Sequence, residues 1–124
     1  HFLKDSKGKV VVVNSIASRT GSKLSGFEYT ISKAGLSGLV KQLAIDWAMD
    51  GVLINSVFPS MVGTSMLYDR NEPSDLNLIE NEIPLGRIAQ PIEIAKVIEF
   101  LISDKNTYMS GSGIDINGAQ YLSG

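Results

Sequence analysis

The chain has 124 residues, of which 44% are hydrophobic and 19% charged, the make-up of an ordinary globular domain with room for one core. A formal net charge of -2 provides no basic field to gather phosphates, which argues against nucleic acid and anionic membrane surfaces as partners. The absence of cysteine excludes disulfide scaffolds, thiolate metal sites and cysteine nucleophiles, and no apolar stretch reaches bilayer-spanning length, so the chain reads as cytoplasmic.

The first residues, His1 to Lys9, lack a signal-peptide pattern and look like the tail of a helix already under way. Gly8 then introduces the valine run Val10 to Val13. β-branched residues without polar alternation suit a strand buried on both faces, read here over residues 9–14. From Tyr29 the apolar residues Leu36, Leu39, Val40, Leu43 and Trp47 recur at spacings of three and four. This pattern predicts a long amphipathic helix with Trp47 in the core, ending near Asp50-Gly51. Val52 to Phe58 reads as a second strand, stopped by Pro59, which cannot donate a ladder hydrogen bond.

Strand, helix, strand makes a crossover unit with parallel strands. The strand ends Asn14-Ser15 and Phe58-Pro59 therefore share the sheet edge where open α/β sheets bind ligands. Residues 60–84 read as a long polar connection of the lid or binding-loop kind, broken by Asn71, Pro73 and Ser74, with Met66 packing within it. Its charges Asp69, Arg70, Glu72 and Asp75 read as a solvated face, with contact to substrate as the alternative. Arg87 is expected to order the approach to a further helix, in which Pro91 fits the first position, Glu93 suits the positive end, and Ile94, Val97, Ile98 and Leu101 form the core stripe. Residues 114–117 read as a last strand. Three parallel strands leave an apolar edge unpaired, so upstream sequence covering that edge is expected.

Tyr29 and Lys33, four residues apart, fall on one helix face with Cβ atoms about 5 to 6 Å from each other. A phenol ionises near ~10, and a neighbouring ammonium lowers that value, which suits Tyr29 to general acid/base work. Ser15, at the carboxyl end of the first strand, lies on the same edge and can hold a substrate oxygen. His1, the only histidine, reads as a solvated end, and no metal site is indicated.

Ser15 followed by Tyr29-Thr30-Ile31-Ser32-Lys33-Ala34-Gly35, then Asn55-Ser56-Val57-Phe58-Pro59, Thr64, Pro84-Leu85-Gly86-Arg87 and Gly111-Ser112-Gly113-Ile114-Asp115 resembles the short-chain dehydrogenase/reductase family in order and spacing. The resemblance runs along essentially all of residues 1–124. It implies an α/β fold, the C-terminal part of a Rossmann-like doubly wound parallel sheet whose N-terminal dinucleotide-binding half is absent. It also implies an NAD- or NADP-dependent oxidoreductase interconverting a carbonyl and an alcohol, most similar to 3-oxoacyl-carrier-protein reductases and sugar-alcohol dehydrogenases. By that resemblance Tyr29 is the acid/base, Lys33 lowers its pKa and binds the nicotinamide ribose, and Ser15 binds the substrate carbonyl or hydroxyl. The segment from Pro59 through Ser60 and Val62 to Thr64 is similar to the family's P-G-x-x-x-T loop, which sets the Val62 backbone and Thr64 hydroxyl against the nicotinamide carboxamide.

Three positions depart from the family pattern. Ser60 replaces a glycine, so its backbone either avoids positive φ or carries strain. The interval from Ser15 to Tyr29 is one residue longer than in many members, with Ser18 offering a second hydroxyl. Asn117-Gly118-Ala119 replaces Asp-Gly-Gly. The family's glycine-rich loop, its cofactor-selecting residue and its helical asparagine are not found in residues 1–124, which leaves NAD against NADP open. The resemblance further implies a homodimer or homotetramer built on the long helix. Without the cofactor half, a catalytically inactive fragment or association module is the alternative reading. A hydrolase reading of Thr30-Ile31-Ser32-Lys33 fails for want of S-D-N and K-T-G elements, and Ser15 lacks a G-x-S-x-G elbow and an internal histidine.

Overall fold

The computed structural model describes residues 2–22 and 25–123; His1 lies outside them. A short helix, α1 (Phe2–Asp5), precedes the valine run, which forms strand β1 (Lys9–Val13). β1 pairs in parallel with β2 (Leu53–Pro59), Lys9 opposite Leu53 and Val13 opposite Val57. β2 pairs in parallel with β3 (Gly113–Ile116), Ser56 opposite Gly113 and Pro59 opposite Ile116. The order β1-β2-β3 makes β2 central, so its residues Ile54 through Pro59 are all buried. β1 was expected to be buried on both faces, but it is an edge among the described residues: most of it is half-buried, and Val13 is 50% exposed.

Side-chain alternation divides the sheet. One face carries Val11, Val57 and Ile114 and packs on helix α6 (Pro91–Ile102) through Ile94, Ile98 and Leu101. The other carries Ile54, Ser56 and Phe58 beneath α2 (Ala17–Thr20) and α3 (Gly26–Asp46). Helix α3 starts three residues before Tyr29. Its α-helical hydrogen bonding ends at Asp46, and a 3-10 turn over Ala48–Asp50 carries the chain to Gly51, whose φ of 74° makes the left-handed stop. Its expected single apolar stripe is only partly realised. Val40 is buried and Leu36, Leu43 and Trp47 are half-buried, while Leu39 is 49% exposed. Further apolar residues, Phe27, Ile31 and Ile45, face outward.

The stretch 60–84 corrects the expectation of an irregular loop. It contains α4 (Ser65–Arg70), with Met66 exposed, and α5 (Pro73–Asn81). Asn71 and Pro73, read as breakers, are helix punctuation: Pro73 opens α5, and the Asp75 carboxylate accepts the Glu72 N–H at 3.2 Å. Asp75 is thus a helix cap as well as a surface charge.

Pro91 does open α6, and Glu93 accepts the Gln90 N–H at 2.8 Å. Arg87 grips Glu93 with two hydrogen bonds of 2.8 and 2.7 Å, the ordering role read for it from sequence. The Arg87 hydrogen bonds, followed by the Gln90 N–H, lower the Glu93 carboxyl to about 2 from the usual 4.5. A depressed carboxylate value stabilises the fold above the unfolded value and ceases to do so as pH falls through the folded one. The melting-temperature difference between wild type and Glu93→Gln is therefore expected at pH 6, to shrink below about pH 4.5, and to vanish near pH 2.

The turn after β3 holds a second test. Ala119, standing where the family pattern has glycine, adopts φ of 68°, a left-handed conformation that opposes a Cβ. Ala119→Gly is expected to raise unfolding stability by about 1 kcal/mol in urea titration.

Candidate active site

The carboxyl ends of all three strands converge on one cavity of about 1050 Å³. Ser15 follows β1, Ser60 and Met61 follow β2, and Gln120 follows β3; the first turn of α3 adds Tyr29, and Leu78 and Ile79 of α5 form part of the wall.

The backbone around Ser15 is tied down on several sides. The Asn14 N–H continues the ladder to the Val57 carbonyl at 2.9 Å, and the Ile16 N–H reaches the Pro59 carbonyl at 2.9 Å. The Ser15 hydroxyl oxygen accepts the Ala17 N–H at 3.2 Å, leaving its own proton to donate. Ser18, the second hydroxyl considered from sequence, donates to the Ser15 carbonyl at 2.7 Å, and it is Ser15, not Ser18, that lines the cavity. Below them Arg19 lies over the Phe58 ring, 3.9 Å from its centroid, and pairs with Asp115 at 3.3 Å. Gly113 permits this packing, since a Cβ there would meet both the Phe58 ring and the Arg19 guanidinium.

Tyr29 is 40% exposed, and its hydroxyl has no hydrogen-bond partner among the described residues. One turn later, the Lys33 ammonium sits 5.6 Å from the Tyr29 ring centroid and donates to the Val13 carbonyl at 3.1 Å. Lys33 therefore stands behind the tyrosine, outside the cavity lining, bridging α3 to the end of β1.

The loop leaving β2 has a different geometry. Pro59 is buried, and its carbonyl is occupied by Ile16. Ser60 lines the cavity and has no positive φ, which removes the strain considered for a serine at this position. Val62 bridges to Ala89, which leaves its own N–H without a partner among the described residues. Thr64 precedes α4, exposed and with its hydroxyl unengaged among the described residues. Neither Val62 nor Thr64 lines the cavity, so the sequence-derived site splits into a cavity group of Ser15, Tyr29 and Ser60 and an adjoining group of Lys33, Val62 and Thr64.

Sequence reasoning missed the α5 wall and the side chains of Asn14 and Ser37. The Asn14 carboxamide oxygen accepts the Ser15 N–H at 2.9 Å, and its nitrogen donates to the Ser37 hydroxyl at 3.0 Å. Pro73 with Glu72 and Asp75 was the available signal for α5. No local pattern marks a bond between residues 14 and 37.

Comparison with known proteins places this geometry. A family model described as Enoyl-(Acyl carrier protein) reductase matches residues 1–118. The chain is 38% identical over 120 residues to Protein FixR of Bradyrhizobium diazoefficiens, covering 97% of this chain and 42% of that protein. It is 36% identical over 115 residues to the acetoacetyl-CoA reductase of Rhizobium meliloti, covering 93% and 47% respectively. The crystal structure of a short chain dehydrogenase family protein from Francisella tularensis superposes with a TM-score of 0.82 at 33% identity, over 90% of this chain and 50% of that one. The chain thus spans about half the length of the curated relatives it matches. A family model matching residues 1–118, a short chain dehydrogenase family structure superposing over 90% of the chain at 33% identity, and parallel strands in this order establish that the chain belongs to the short-chain dehydrogenase/reductase family.

Proposed function

We propose that the protein is an NAD- or NADP-dependent oxidoreductase that interconverts a small-molecule carbonyl and an alcohol, with Tyr29 as its acid/base. The carrying observation is that Ser15 and Tyr29 line one cavity while the Lys33 ammonium stands 5.6 Å from the Tyr29 ring. The Ser15 hydroxyl, whose proton has no acceptor among the described residues, donates to the substrate oxygen and holds it near Tyr29. The Tyr29 hydroxyl then gives its proton to the developing alkoxide, or takes one from the alcohol in the reverse direction. Lys33 supplies fixed positive charge beside the phenol, and its remaining N–H donors are available to a ribose hydroxyl.

The nicotinamide group, when bound, supplies or accepts the hydride. The residues present fit it: the Val62 N–H and the Thr64 hydroxyl, both without a partner among the described residues, are complementary to a carboxamide, on the loop that begins with Pro59 and Ser60. Tyr29→Phe in the full gene product is expected to lower kcat at least a hundredfold while the cofactor Kd changes less than threefold, measured by steady-state turnover and fluorescence titration. Turnover within threefold of wild type would remove Tyr29 as the acid/base.

The outward apolar residues of α3, with Ile31 66% and Ile45 72% exposed, support self-association of the protein as a homodimer or homotetramer. Ile45→Asp is expected to shift the full gene product to a smaller species in sedimentation velocity; an unchanged species would exclude this face.

A further inference from the structure

Asn14 and Ser37 lie outside the proton-transfer chemistry, yet their side chains join the two elements on which it depends. Asn14 is 4% exposed at the end of β1, and its main chain is fixed by the bond to the Val57 carbonyl. Its carboxamide is used at both ends: the oxygen accepts the N–H of Ser15 at 2.9 Å, and the nitrogen donates to the Ser37 hydroxyl at 3.0 Å. Ser37 is four residues beyond Lys33 and eight beyond Tyr29, so the three residues occupy successive turns on one side of α3. Lys33 makes a parallel connection one residue earlier on the strand, to the Val13 carbonyl.

We infer that Asn14 and Ser37 form a positioning pair that sets where Ser15 stands relative to Tyr29. The inference rests on the proposed roles of those two residues. The physical reason is that Ser15 sits in a short non-helical link whose flanking residues, Asn14 and Ile16, make the bonds to β2, while its own N–H is held only by the Asn14 carboxamide among the described residues. A carboxamide can accept from the link and donate to the helix at the same time, which no aliphatic side chain of similar size does. Because the amide is buried, water does not compete for either bond. Displacements on the order of 1 Å between reacting groups are enough to lower turnover substantially.

The test uses the full gene product with Ser37→Ala, Ser37→Thr and Asn14→Leu. Ser37→Ala removes one hydroxyl from the pair and leaves the Ser15 N–H bonded. It is expected to lower kcat about tenfold with the cofactor KM within twofold, and Ser37→Thr, which restores a hydroxyl, is expected to recover kcat to within threefold of wild type. Asn14→Leu, if it folds, is expected to lose more than Ser37→Ala. A Ser37→Ala protein with kcat within twofold of wild type overturns the inference. So does a loss of folded protein or melting temperature in Ser37→Ala with kcat per folded molecule unchanged, which is the signature of a purely structural bond. Failure of the underlying reading shows separately: if Tyr29→Phe keeps its turnover, the acid/base assignment is wrong, whereas inert Tyr29→Phe with fully active Ser37→Ala rejects only the positioning pair.

Discussion

The site depends on the parallel pairing of β1 with β2 and on its continuation past the end of β1. Val13 lies opposite Val57, the Asn14 N–H reaches the Val57 carbonyl, and the Ile16 N–H reaches the Pro59 carbonyl. A slip of one residue in this register would exchange the two faces of β1, taking Val11 off the α6 face and turning Asn14 away from Ser37. The central position of β2 makes the register costly to change, since its residues from Ile54 to Pro59 are buried between α6 on one side and α2 with α3 on the other. Ser60 is held by its N–H to the Ile116 carbonyl, and Ser15 by the flanking bonds to β2 together with the Asn14 carboxamide.

Much of this scaffold was legible in the residues because it follows from local pattern. A valine run, a 3.6-residue stripe, and proline and glutamate at a helix start each have one common structural solution, and β1, α3 and α6 formed where they predicted within a few residues. The errors have physical causes. The six-residue α4 and nine-residue α5 are too short for their apolar spacing to stand out, and the proline that opens α5 is the same signal that ends a regular element. β1, read as buried on both faces, has one neighbouring strand among the described residues and is mostly half-buried there.

The candidate site divides in the same way. Tyr29 and Lys33 were visible because a helix fixes the relation between residues four apart. Ser15 was placed by the strand end and separated from Ser18 only when the Ser18 hydroxyl proved to be bonded to the Ser15 carbonyl. The Asn14 to Ser37 bond spans 23 residues and depends on how α3 lies on the sheet, so no local pattern announces it. The glycine departures were visible as identities but not as conformations: Ser60 avoids positive φ, whereas Ala119 adopts it.

The cavity has two walls of different construction. Ser15 and Tyr29 belong to a wall wired into the sheet through Asn14, Ser37, Lys33 and the end of β2. The Leu78 and Ile79 wall belongs to α5, whose exit is anchored by buried Ile83 and by the Leu85 N–H bonded to the Gly118 carbonyl at 3.2 Å. This nine-residue helix is bounded by its proline start and by the buried Ile83, and none of the hydrogen bonds that fix the other wall runs through it. The Leu78 and Ile79 side chains can therefore change without touching a hydrogen bond that holds Ser15 or the first turns of α3 to the sheet.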